Sequence, residues 1–360
     1  MVKAAICYEF GMPLVVEEVE IDPPKTGEVK VKIAACAICH SDIHCVRGAW
    51  GGKTPVVAGH EGAGTVSEVG HGVTRVRPGD PVVVSLLRSC GHCFYCTTGR
   101  PYNCEGKFAL DSETRLHNGA GDSVIQGIYT GAFAEYAIVD QSQLVKIPES
   151  LPMDRACLLA CGVITGLGAV TNTVQVETGA SVVVVGAGGV GLNSVQGAVL
   201  SGAAKIIAVD VRDVKLEAAR RFGATHVINV GNRDAVQTVL SLTDGRGADY
   251  AFVTVGISTA VTQASHMVHE SGVVVVAGMP GNDDAAFSLN AHDMTCGRTI
   301  IGSKMGSSRI AVDVPRLVEL YQQGRLKLDE LITHRYPLEK INEAITSMEQ
   351  GEAIRNVIIF

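Results

Sequence analysis

The stretch that most constrains this chain is a valine run, Ser181-Val182-Val183-Val184-Val185, that passes directly into Gly186-Ala187-Gly188-Gly189-Val190-Gly191. An unbroken apolar run suits a strand buried on both faces, as in a parallel sheet covered by helices. In a chain with 41 glycines, a G-x-G-x-x-G loop alone means little. Its setting gives it meaning. A strand precedes it, a helical stretch over about residues 190–201 follows, and a second strand, Lys205-Ile206-Ile207-Ala208-Val209-Asp210, ends on an acid 19 residues past Gly191. Gly186 would make the tight turn, Gly188 would let backbone approach a pyrophosphate, and Gly191 would allow close helix–strand packing. Gly189 and Val190 open the helix, whose free N–H groups and positive dipole end face the phosphates. Asp210 would accept from ribose hydroxyls and repel a 2′-phosphate, so NAD is expected over NADP, with Arg212 the nearby cation that works against that preference.

Further strands are expected at 227–229, 250–255 and 272–277, separated by helical segments, one of which (214–222) ends at Gly223. Strand–helix alternation of this kind implies a doubly wound α/β domain. The chain before about residue 150 reads differently. Val29-Lys30-Val31-Lys32-Ile33 and Gly64-Thr65-Val66-Ser67-Glu68-Val69 alternate as half-buried antiparallel strands, and Arg77-Pro78-Gly79-Asp80 turns the chain before Val82-Val83-Val84. The tail returns to that style, with helices at about 314–324 and 341–350 and a closing strand, Asn356–Phe360. A length of 360 residues suggests two domains, and 46% apolar against 19% charged residues leaves room for both cores. The net charge of −7 argues against a nucleic-acid surface. No apolar run is long enough for a membrane helix, and Glu9 comes too early for a secretory signal, so a cytoplasmic protein is expected.

The eleven cysteines are odd in number and clustered, which points to metal and away from a disulfide framework. Cys90-x2-Cys93-x2-Cys96-x7-Cys104 sets four soft thiolate donors within 15 residues, enough to close a tetrahedral zinc site with no open position. Such a site pins a loop that has no core of its own; a redox pair at Cys93 and Cys96 would leave the other two unexplained, and His92 reads as a bystander. Cys39-His40-Ser41-Asp42 and Gly59-His60-Glu61 are a second, weaker signal, with Cys161-Gly162 a third. Two thiolates and one imidazole would leave one zinc position open, the ligand set that alcohol dehydrogenase itself exemplifies.

Taken in order, these segments resemble the zinc-containing medium-chain alcohol dehydrogenases over nearly the whole chain. The resemblance implies a GroES-like β-rich catalytic domain from residues 1–162 and 301–360, with a structural zinc lobe at 88–106. A Rossmann domain would occupy 163–300. It implies two zinc ions per chain, the catalytic one held by Cys39, His60 and Cys161, with Glu61 beside it and Asp42 orienting the histidine. It implies a proton path from Ser41 to His44, cofactor contacts at His40, Thr165, Lys215 and Arg355, and an apolar pocket walled by Trp50, Leu86, Met279 and Ile300. Many relatives carry Arg where this chain has His40, which implies a weaker hold on the pyrophosphate and faster release.

The expected reaction is reversible hydride transfer between a primary or secondary alcohol and NAD. Glutathione-dependent formaldehyde dehydrogenases and polyol dehydrogenases share this architecture. The former take a carboxylate-bearing substrate, for which Arg47, Lys53 and Arg88 are the available cations without forming a matching pattern. A non-catalytic cofactor-binding relative would not need Cys39, His60, Cys161, Ser41 and His44 together. The long segment between Cys104 and Phe133 favours a homodimer over a homotetramer.

Overall fold

In the computed structural model, which describes residues 1–360, the chain divides into two compact units, Met1–Cys161 with Arg309–Phe360, and Gly162–Ser308. Both chain ends build the first unit. Its central strand, Glu28–Ala37, pairs antiparallel with Glu61–Val69, Tyr136–Asp140 and the C-terminal strand Arg355–Ile359. Period-two alternation explains its placement: Val29, Val31 and Ile33 are buried while Lys32 is exposed. The sheet extends through Pro81–Val84 and Leu144–Lys146 on one side and Ile332–Pro337 on the other. A small closed barrel of Val2–Cys7, Val15–Ile21, Leu116–His117, Ser123–Gln126 and Val56–Val57 completes the unit. Barrel and sheet are joined by a buried fork, in which Arg115 donates to both Glu28 carboxylate oxygens at 2.6 and 2.9 Å.

The second unit is a six-stranded, wholly parallel sheet. Its spatial order is His226–Asn229, Lys205–Asp210, Ser181–Val185, Ala248–Val253, Val268–Val276 and Thr299–Gly302. This is the doubly wound order in which the chain reverses direction beside the first strand. Val182, Val183 and Val184 have no exposed surface, as the unbroken run requires. Helices Gly189–Leu200 and Asp213–Phe222 follow the first two strands, and Gly223 closes the second in the left-handed region at φ 111°.

Two boundaries differ from expectation. The parallel-sheet unit continues past residue 300, because Thr299–Gly302 is its sixth strand, hydrogen-bonded to Val268–Val276. The first tail helix starts at Ile310, not Val314, because the Asp313 carboxylate accepts the Arg309 N–H at 2.7 Å and closes an extra turn. No single helix is long and apolar enough to cross a membrane.

Candidate active site

Cys39 precedes helix His40–Arg47 as its N-cap, and the third helical residue, Asp42, folds back to accept the Cys39 N–H at 3.0 Å. The same buried carboxylate accepts the Gly59 N–H at 2.9 Å and His60 Nδ1–H at 2.8 Å. One aspartate therefore fixes two chain segments that are far apart in sequence and sets the tautomer of His60. Gly59 sits at φ 93°, and a Cβ there would lie 2.5 Å from the Phe133 nitrogen, so only glycine lets the chain enter the site at this angle. Strand Glu61–Val69 begins immediately after. Cys161 follows two consecutive helical turns, Met153–Ala156 and the fully buried Cys157–Ala160. The result is that ligand atoms of Cys39, His60, Glu61 and Cys161 all lie within 4.8 Å of one another, every residue buried.

This cluster is electrostatically incomplete. His60 Nε2 and both Glu61 carboxylate oxygens are buried with no hydrogen-bond partner, an arrangement that is costly in a low-dielectric interior. Arg355 Nη1 is 3.3 Å from Glu61 Oε1, near enough to attract but not aligned as a hydrogen bond. Burial pushes the Glu61 carboxyl up to about 8, against the pull of Arg355. The two thiols share a proton: that of Cys161 holds Cys39 well below the ordinary thiol range, and the Cys39 sulfur holds Cys161 well above it. Burial works against a charged His60, but the Asp42 carboxylate outweighs it and holds the imidazole up. A divalent cation answers all of these at once, replacing the shared thiol proton and the second imidazole proton. Two sulfurs and one imidazole nitrogen form a donor set suited to zinc.

Cys90, Cys93, Cys96 and Cys104 also converge within 4.8 Å, and all four are half-buried. Their support is backbone. The N–H groups of Cys90 and Gly106 donate to Cys104 Sγ, each at 3.3 Å, and that of Cys93 donates to Cys90 Sγ at 3.3 Å. Backbone donation from Glu105 and Cys96 brings Cys93 down to about 6, while burial pushes Cys96 up to about 12. The short helix inside the loop, Phe94–Thr97, has no buried residue, so apolar burial does not hold it. The root of the lobe is anchored at Arg88, whose guanidinium lies 4.6 Å from the Phe108 ring and 4.2 Å from the Tyr129 ring and pairs with Asp111.

In the second unit, Gly186 turns at φ 94°, and a Cβ on Gly191 would lie 1.8 Å from the Gly186 carbonyl oxygen. A Cβ on Gly188 would meet nothing within 4 Å, so the space on that side of the loop is free. Asp210 accepts the Ala187 N–H at 2.8 Å and the Arg212 N–H at 3.0 Å. It thus braces the loop and keeps a free lone-pair site on each oxygen. Thr254 donates to the carbonyls of Val185 and Gly186 from beneath, a support with no local signature in the sequence.

Comparison with known proteins agrees with this geometry. The alcohol dehydrogenase GroES-like domain family matches residues 25–149, and the zinc-binding dehydrogenase family matches residues 189–323. The NDMA-dependent alcohol dehydrogenase of Amycolatopsis methanolica is 40% identical over 99% of this chain and 98% of its own. This chain belongs to the zinc-containing medium-chain alcohol dehydrogenases. Among solved structures of such dehydrogenases, the alcohol dehydrogenase zinc-binding domain protein of Burkholderia ambifaria superposes with a TM-score of 0.94 at 34% identity, covering 100% of this chain and 98% of that one. The benzyl alcohol dehydrogenase of Acinetobacter calcoaceticus gives 0.92 at 32% identity, covering 100% and 99%.

The remaining expected residues of the dehydrogenase fall as follows. His40 is exposed at the start of its helix, and Ser41 and His44 are half-buried along it. The His44 ring packs on Trp50 with centroids 5.1 Å apart. Leu86 is half-buried in the first unit, while Met279 is 64% exposed in the second. Ile300 is half-buried on the sixth strand of the second unit, paired with Val274 and packed against that sheet's core. Thr165 is buried, its hydroxyl 3.6 Å from the Met305 sulfur, and Lys215 is half-buried on its helix. Arg355 is enclosed, donating to the Ile38 carbonyl at 3.2 Å, so an expected phosphate contact there has to share its charge with Glu61. Two cations weighed for a carboxylate-bearing substrate already have partners: Arg47 forks onto Glu349 at 2.9 Å, and Arg88 is held between its rings.

Proposed function

We propose that this dehydrogenase moves a hydride between a primary or secondary alcohol and NAD, using zinc held by Cys39, His60 and Cys161. The observation that carries the reading is the buried four-residue cluster in which His60 Nε2 has no partner while its other nitrogen is fixed by Asp42. When bound there, zinc supplies Lewis acidity that lowers the pKa of an alcohol hydroxyl. Asp42 fixes the His60 tautomer and aims Nε2 at the site by accepting from Nδ1–H. Ser41 takes the hydroxyl proton and His44 passes it to solvent. The nicotinamide of bound NAD would supply the hydride acceptor for the carbinol carbon. Glu61 lies beside the ligands as a spare carboxylate for ligand exchange. The Gly186–Gly191 loop holds the pyrophosphate, and the lone pairs left on Asp210 accept from the adenosine ribose. A second zinc in the cysteine lobe is structural, and the assembly is a homodimer.

The test is an oxidation and reduction panel of aliphatic and aromatic alcohols and aldehydes with NAD, NADP and NDMA. The NDMA arm and the aromatic alcohols follow the names of the Amycolatopsis and Acinetobacter relatives. NADH formation with at least one primary or secondary alcohol is expected, with NADP at least about tenfold less effective than NAD and with Asp210→Gly narrowing that ratio. No turnover with any alcohol or aldehyde overturns the reading.

A further inference from the structure

We infer that Trp50 is a positioning residue for the proton path, holding the His44 imidazole in place as well as facing substrate. The inference rests on the proposed role of His44 and goes beyond it. Helix His40–Arg47 ends in a left-handed Gly48 at φ 73°, where a Cβ would lie 2.9 Å from the Phe10 ring. The Gly48 N–H returns to the Cys45 carbonyl at 3.2 Å and the Ala49 N–H to the His44 carbonyl at 2.9 Å. These paired bonds form a Schellman turn, which reverses the chain over the helix's last turn. The next residue is Trp50, and the turn brings its indole over the ring of His44, with centroids 5.1 Å apart and planes tilted by 33°. His44 is half-buried near a helix end, a place where an imidazole with nothing against its face would sample several rotamers. The indole removes that freedom. A proton carrier must sit within hydrogen-bond reach of its donor, so confining the ring raises the fraction of time it is competent.

Substrate choice and proton transfer are thereby coupled through one side chain. A change at Trp50 that alters pocket size also loosens His44, and the two consequences separate in a double-mutant cycle with a small primary alcohol. Trp50→Leu is expected to lower kcat about three- to tenfold, the range that loss of an aromatic contact allows. Trp50→Phe, which restores a ring, is expected to recover most of the loss. In a His44→Gln background, Trp50→Leu is expected to have no further effect on kcat. The imidazole proton resonances of His44 should also lose an upfield ring-current shift in Trp50→Leu. An equal loss of kcat in both backgrounds, with His44→Gln itself slow, makes Trp50 a pocket wall only and overturns this inference while sparing the proton path. Wild-type turnover in His44→Gln overturns the proton path and this inference with it.

Discussion

The two cysteine clusters of the first unit gather the same kind of atom by opposite means. The lobe takes Cys90, Cys93, Cys96 and Cys104 from one short loop, leaves them half-buried, and steadies the sulfurs with backbone N–H groups. The other draws Cys39, His60, Glu61 and Cys161 from three distant segments, buries them fully, and steadies them with side chains, Asp42 foremost. The first has no open chemistry to offer, because four identical soft donors complete a tetrahedron. The second carries mixed donors, an unpartnered imidazole nitrogen and a spare carboxylate. A loop-built cluster makes structure; a cluster assembled by the whole fold can make a reaction centre, since the fold controls what else surrounds the metal.

Substitutions can break this contrast, the most damaging first. Cys161→Ala is expected to lower turnover by at least about 10³-fold, since the Lewis acid's contribution is several kcal/mol, while dinucleotide affinity measured by fluorescence titration stays close to wild type. Turnover within tenfold of wild type would remove Cys161 from the site. Cys104→Ala is expected to open the lobe: limited proteolysis should cut between residues 90 and 104, with turnover falling far less than in Cys161→Ala. A protease-resistant lobe would mean that something other than metal holds it. Asp42→Asn sits between the two in kind, since it leaves every ligand present and disturbs only their support. Zinc affinity at the buried cluster, by competition with a chelator, should fall about 10- to 100-fold, with the lobe unaffected.

The lobe was legible in the sequence because its ligands are local. Spacing alone predicted Cys90, Cys93, Cys96 and Cys104, as the valine run and glycine loop predicted the parallel sheet. Cys39, His60 and Cys161 were not readable from spacing, since their convergence depends on the pairing of Glu28–Ala37 with Glu61–Val69 and on the path of residues 153–161. Only the ordered resemblance to a family brought them together. Some features left no local trace at all: the triple acceptance at Asp42, Thr254 under the glycine loop, and the stacking of Trp50 on His44.

A smaller effect sharpens how the buried cluster is delivered. Asp154 lies at the entry to the Cys161 segment, bonded to Arg155 at 2.7 Å and to Arg335 at 2.8 Å, and Arg155 also reaches Asp329. Burial pushes the Asp154 carboxyl up, but the two guanidiniums outweigh it and hold it below the usual range. A depressed folded value means that the carboxylate stabilises the fold above its unfolded value, near pH 4, and that this contribution is lost as pH falls through the lower folded value. Asp154→Asn should therefore cost about 1–3 kcal/mol in urea unfolding at pH 7 and less near pH 3. An equal cost at both pH values would place the network's contribution elsewhere.

Whether the buried cluster and the lobe each hold their own zinc is read most directly by metal analysis of wild type and Cys161→Ala by mass spectrometry. The expected result is about two zinc ions per chain in the wild type, falling to about one in Cys161→Ala, with the remaining ion resisting chelation as a closed four-sulfur site does. About one zinc in both proteins would mean that Cys161 holds no metal.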